Sequence, residues 1–191
     1  MTASLLSVIV IIAIALGILG WAVAAYNGLI GKRMETRNSW SQIDVQLKRR
    51  YDLIPNLVET VKGYAAHERE TLERVTEARN MAVGARGVAE QAQAENMLTG
   101  ALKSLFAVTE AYPDLKANQS FLQLQEELTA TENRIGFARQ HYNDVVTQYN
   151  SALQSAPTNL MGNKFGFKPA EFFALDAGET AAVHSPVAVK F

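Results

Sequence analysis

Apolar residues fill the first stretch of the chain with no charge among them. From Leu5 to Ala25 it reads LLSVIVIIAIALGILGWAVAA, and the first charged side chain is Lys32. At ~1.5 Å rise per residue, these positions form a helix of roughly 31 Å, the hydrocarbon thickness of a bilayer. A secretory signal peptide would carry a basic leader and a shorter apolar run, and neither is present, so residues 1–26 read as a retained single-span anchor. Trp21 and Tyr26 stand at its C-terminal end, where amphipathic rings favour the headgroup layer, and Lys32, Arg33 and Arg37 follow as membrane-interface residues. Because the basic flank lies C-terminal to the span, the positive-inside bias predicts an external N-terminus and a cytoplasmic C-terminal domain. In a bacterium the bilayer would be the inner membrane.

Beyond Tyr26 the apolar positions recur every three or four residues, the period of a helix with one buried face. Trp40, Ile43, Leu47, Ile54, Val58, Val61 and Ala65 form one stripe, with a gap near Arg50 and Tyr51. The stripe predicts a long helix over 27–66, kinked but not broken by Pro55, since Ile54 is a poor N-cap for a new helix. A second helical segment runs over 67–83, with Leu72, Val75, Ala78 and Ala82 inward, either as a continuation or as a separate helix. A third covers 88–111 through Leu98, Ala101, Leu105, Val108 and Tyr112, and Tyr112-Pro113-Asp114 closes it. Asn118 or Ser120 can cap the last helix. Its stripe of Phe121, Leu124, Leu128, Thr131, Ile135, Ala138, Tyr142, Val145, Tyr149 and Ala152 keeps its period without error. Such faces can be buried only against one another. The expected fold is therefore all-α: the anchor, then an antiparallel bundle of three to four long helices over 27–155. From Ala156 the period fails, and 156–191 reads as an irregular tail that nevertheless holds Phe165, Phe167, Phe172, Phe173 and Phe191. A solvated tail has no use for them, so they are expected to pack on the chain's own bundle or on a neighbour's, with insertion into the bilayer as a third alternative.

Composition narrows the chemistry. The chain has 191 residues, 48% of them hydrophobic and 19% charged, enough for one packed domain plus an anchor. Its 18 basic and 19 acidic residues nearly cancel, so nucleic acid is not an expected partner. No Cys occurs, which excludes thiolate metal sites, catalytic thiols and disulfides. The residues three before His67, His141 and His184 are Tyr64, Ala138 and Ala181, so the Glu-x-x-His pairs of a di-iron bundle are missing. No zinc-protease, nucleophile-elbow or phosphate-loop motif occurs either. No catalytic residue, metal, cofactor or small-molecule substrate is expected.

Charge does vary along the chain. Residues 27–66 carry seven basic and four acidic side chains, whereas 67–111 carry five and seven, and 112–155 three and five. The densest basic cluster, Lys48, Arg49 and Arg50, reads either as a solvated face paired with Asp44 and Asp52 or as a contact for a partner. It lies about 33 Å beyond Tyr26 at ~1.5 Å per residue, out of electrostatic reach of a bilayer if the helix stands upright.

The run NSWSQIDVQLKRRYDLIPNLVETVKGYAAHE over 38–68, with YNGLIGKR before it and FGFKPAEFF near the end, resembles the LemA family of bacterial membrane proteins. The resemblance implies one N-terminal transmembrane helix, a short external N-terminus and a cytoplasmic bundle of long helices. It implies structural or interaction proteins without an established reaction, with relatives in magnetosome-forming bacteria where membrane remodelling is the expectation. The function expected is thus a non-enzymatic, self-associating homo-oligomeric scaffold on the membrane, which could gather other membrane proteins. The alternative is an adaptor that docks a membrane protease or signalling protein through its cytoplasmic helices.

Overall fold

The computed structural model describes residues 2–173, and every regular element among them is helical. The tail positions beyond 173, with Phe191 and His184, lie outside the described residues. Six helices follow in order: α1 (Thr2–Lys62), α2 (Arg69–Gly84), α3 (Val88–Thr109), α4 (Pro113–Lys116), α5 (Gln119–Gln154) and α6 (Thr158–Lys164). The anchor and the first long helix predicted beyond it are one uninterrupted helix of 61 residues. Helix α1 ends before Gly63, where Tyr64 and Ala65 donate back to Val61 O at 3.0 and 2.8 Å and tighten the last turn. Helix α2 is therefore a separate element.

Helix α1 runs on through Pro55. Proline has no N–H, so the carbonyl of Tyr51 loses its helical donor. Arg79 of α2 replaces it, Nε donating to Tyr51 O at 3.1 Å. Other ends are closed by local chemistry. Gly87 takes φ +84° ahead of α3, and Glu90 in the first turn accepts the Arg86 N–H at 2.9 Å. Asn118 Oδ1 accepts the Phe121 N–H at 3.0 Å and so caps α5.

The chain divides into two compact units. One comprises Ser41–Gln140 with the described residues from Glu171 onward. Its core is built by Ile54, Leu57 and Val61 of α1, Leu72 and Val75 of α2, Leu98 and Leu105 of α3, Leu115 of α4, and Phe121 and Leu128 of α5. There α2 and α3 meet at both ends, Gln91 bonding Ala82 O and Tyr112 bonding Glu68, so these two run antiparallel, and Phe106 stacks edge-on against Phe121 at 6.4 Å. The other unit comprises residues up to Trp40 with His141–Ala170. In it Trp40 meets Tyr142 edge-on at 5.4 Å, and Leu29, Val145, Val146 and Tyr149 are buried. The tail is less irregular than the sequence implied, because residues from Thr158 form α6.

Candidate functional site

In the unit that holds the apolar stretch of α1, that helix meets α6 and the turn after it. Large apolar side chains from Leu5 to Val23 are exposed along α1, as a lipid-facing helix requires. Helix α6 ends in a Schellman turn: Gly166 takes φ +66°, its N–H bonds Asn163 O at 3.4 Å, and Phe167 N–H bonds Gly162 O at 3.0 Å. That geometry needs a glycine at 166 and directs both flanking phenylalanines at one ring. Tyr26 stacks edge-on with Phe165 at 4.9 Å and with Phe167 at 5.8 Å. The Arg33 guanidinium lies 5.1 Å from the Phe167 ring centre, a cation–π contact. Buried Gly162 fits α6 against α5, since a Cβ there would stand 3.0 Å from Leu153 Cδ2. The segment beyond is tied to α5: Tyr149 O–H donates to Lys168 O at 3.0 Å, and the Asn150 amide both donates to and accepts from the Ala170 backbone at 2.9 and 2.8 Å. Burial pushes the Tyr149 phenol above its ordinary value, against the opposing Arg33 charge.

Of the interface residues read from sequence, Trp21, Tyr26 and Arg37 are exposed, and Lys32 and Arg33 are half-buried. Tyr26, Arg33, Phe165 and Phe167 come together in one aromatic and cationic cluster. Phe172 is half-exposed. Phe173, read as a docking residue, is wholly buried within its own chain, with the Arg139 guanidinium 4.8 Å over its ring.

The basic triplet does not act as one surface. Lys48 is exposed, and Arg49 pairs with Glu127 at 3.6 Å with both side chains half-exposed. Arg50, expected on a docking face, is instead 2% exposed. Its Nη1 lies 3.1 Å from both Glu95 and Glu132, and its Nη2 donates to Thr99 Oγ1 at 2.8 Å. Beside it the Tyr51 hydroxyl donates to Glu95 Oε1 and accepts from Gln91 Nε2 at 2.8 Å, and Gln91 also reaches Ala82 O at 3.0 Å. Burial raises the Glu95 carboxyl above its usual range, although Tyr51, Arg50 and Gln91 all oppose the shift. The Tyr51 phenol is pushed far above the tyrosine range, first by burial and then by its bond to Glu95. This network ties four helices to one another, α1 through Arg50 and Tyr51, α2 through Ala82 O, α3 through Gln91, Glu95 and Thr99, and α5 through Glu132, and both terminal nitrogens of the guanidinium have acceptors. It reads as a structural clamp.

Sequence reasoning missed Glu95, Gln91, Thr99 and Glu132. The signal was present: stepping back from Leu98 by three and seven along the α3 stripe gives Glu95 and Gln91. The gap in the α1 stripe falls at Arg50 and Tyr51. His67 and His141 are exposed. Among the described residues no group of three or more His, Asp or Glu side chains is arranged to hold a metal ion.

The sequence model of the LemA family matches residues 39–191. The chain belongs to the LemA family. It is 31% identical over 142 residues to Protein LemA of Metamycoplasma hominis, a match covering 72% of this chain and 64% of that protein. It therefore spans less than two thirds of that relative's length. It is 27% identical over 210 residues to Magnetosome protein MamQ 2 of Paramagnetospirillum magneticum, covering 96% of this chain and 75% of the relative. With Magnetosome protein MamQ of Magnetospirillum gryphiswaldense the identity is 24% over 185 residues, covering 83% of this chain and 68% of the relative. The family and the exposed apolar stretch at the start of α1 together make this a membrane-associated LemA-type protein.

Proposed function

We propose that this LemA-family protein is a non-enzymatic scaffold that self-associates at the bacterial inner membrane and organises or remodels it. The observation that carries the reading is the continuity of α1: the exposed apolar stretch and the packed polar-faced stretch are one helix. Exposed Phe137, Leu122, Val45 and Phe172 offer apolar anchors for a second copy. The basic flank of Lys32, Arg33 and Arg37 supports an external N-terminus and a cytoplasmic domain. The kinship with magnetosome proteins is in keeping with a role in shaping membranes.

The size of the detergent-extracted full chain, repeated in nanodiscs, tests this: an oligomer in both is expected, and a strict monomer in both ends the scaffold reading. Deleting Gly162–Phe191 should then loosen the assembly. A C-terminal alkaline phosphatase fusion should be inactive, and an active one would reverse the topology.

The adaptor reading has one observation in its favour. An open groove of about 900 Å³ runs between α1 and α2, lined by Val58, Leu72 and Met81 together with Lys62, Arg69 and Glu73. Charge reversal at Lys48 and Arg49, with buried Arg50 left intact, separates the two readings. Loss of a co-purifying partner with oligomer size unchanged selects the adaptor.

A further inference from the structure

Helix α6 does not stand clear of the anchor. Met161, Lys164 and Phe165 form one groove with Leu19, Ala22 and Val23 of α1. Those α1 residues occupy the last two turns of the apolar stretch, from Leu19 to Tyr26, a rise of about 10 Å. If Leu5–Ala25 spans the bilayer, whatever packs on Leu19 and Val23 shares their depth. A short element at that level must satisfy its own backbone and expose groups that suit lipid. The Schellman turn satisfies the first condition through the bonds of Phe165, Gly166 and Phe167. Leu160, 62% exposed, and Phe165, 53% exposed, satisfy the second. Lys164 lies one turn after Leu160 on the same face of α6, so a long stem beside apolar groups carries its ammonium toward water. The charge balance of this unit points the same way: Lys32, Arg33, Arg37, Lys164 and Lys168 stand against Glu35 and Asp144 alone.

We propose that α6 and its closing turn form an interfacial shoulder of the anchor, with Leu160 and Phe165 immersed at the headgroup–acyl boundary and Lys164 against anionic lipid phosphate. The shoulder widens the protein within one leaflet only, at the depth where a wedge bends a membrane. The inference rests on the anchor reading, and the experiment separates them.

The chain contains no Cys, so single-Cys variants Leu16→Cys, Leu160→Cys and Ser151→Cys of the full-length protein take an environment-sensitive fluorophore cleanly. Each is reconstituted in phosphatidylcholine vesicles with or without phosphatidylglycerol and probed with lipids quenching at headgroup or at mid-bilayer depth. The expected result is a mid-bilayer signal for Leu16→Cys, a blue-shifted headgroup-depth signal for Leu160→Cys and an aqueous one for Ser151→Cys. An aqueous Leu160→Cys beside an immersed Leu16→Cys overturns the shoulder and leaves the anchor standing. An aqueous Leu16→Cys overturns both. In the mixed vesicles, Lys164→Glu should lower the enrichment of phosphatidylglycerol among lipids retained on mild extraction by roughly fivefold. Unchanged enrichment removes the phosphate contact from the proposal.

Discussion

The Arg50 guanidinium lies 3.1 Å from Glu95 Oε2, with the two side chains 2% and 3% exposed. A pair so fully desolvated is costly to leave half made, because the surviving charge keeps its burial and loses its partner. Arg50→Met should destabilise the fold by about 3–5 kcal/mol. Adding Glu95→Leu should recover much of that loss, since Tyr51 and Gln91 still bond each other at 2.8 Å. Chemical denaturation of the full chain in detergent, followed by circular dichroism, measures both. Equal stability of Arg50→Met and the native chain would contradict the clamp.

The same carboxylate gives stability a pH dependence with a definite sign. Burial holds the Glu95 carboxyl above its ordinary value near 4.5. The folded state thus binds that proton more tightly than the unfolded chain. Glu95's contribution is fully present below about pH 4.5 and is lost as pH rises through the higher folded-state value. Glu95→Gln removes the titration. The melting temperature of the native chain minus that of Glu95→Gln should therefore shrink as pH rises from about 4.5 and then level off. A difference that grows with pH would reverse the assignment. Asp44, whose carboxyl burial also raises, cancels because it is common to both proteins.

Much of this arrangement was legible in the order of residues. The stripe of α5 placed Phe121, Leu128, Ile135, Tyr142 and Tyr149 on the buried face, and all are buried. The four inward positions of α2 are buried as well, and Asn118 caps α5 as its side chain allows. These succeed because helical period and capping are local properties. Arg50 failed for the opposite reason. Its place in the stripe marked it as inward, but a charge is read as surface unless its counter-charge is visible, and Glu95 stands 45 residues away. The Phe tail was legible only in part: composition showed that its rings needed covering, but the contact with Tyr26 crosses more than a hundred positions of sequence and could not be named.

Gly166 offers a local test of the cluster formed by Tyr26, Phe165 and Phe167. Its φ of +66° is open to glycine and strained for other residues, so Gly166→Ala should cost about 1–2 kcal/mol at the turn. Asn should cost less. The loss should appear as faster amide exchange at Phe167, whose N–H bonds Gly162 O at 3.0 Å, with the amides around Arg50 unaffected. Unchanged exchange at Phe167 would mean that the turn does not depend on glycine.

Pro55 and Arg79 should be energetically coupled although they lie on different helices. The proline strips Tyr51 O of its helical donor, and Arg79 Nε supplies another at 3.1 Å. In the native chain, Arg79→Met leaves that carbonyl unpaired and should cost about 1–3 kcal/mol, toward the lower end because Arg79 is partly exposed. In a Pro55→Ala background the restored N–H re-forms the bond within α1, so the same substitution should cost little. A double-mutant cycle over the four proteins, read by chemical denaturation, should give a coupling of about 1 kcal/mol. Strict additivity would show that water replaces the guanidinium without loss, and that the proline is tolerated for some reason other than the donor that α2 provides.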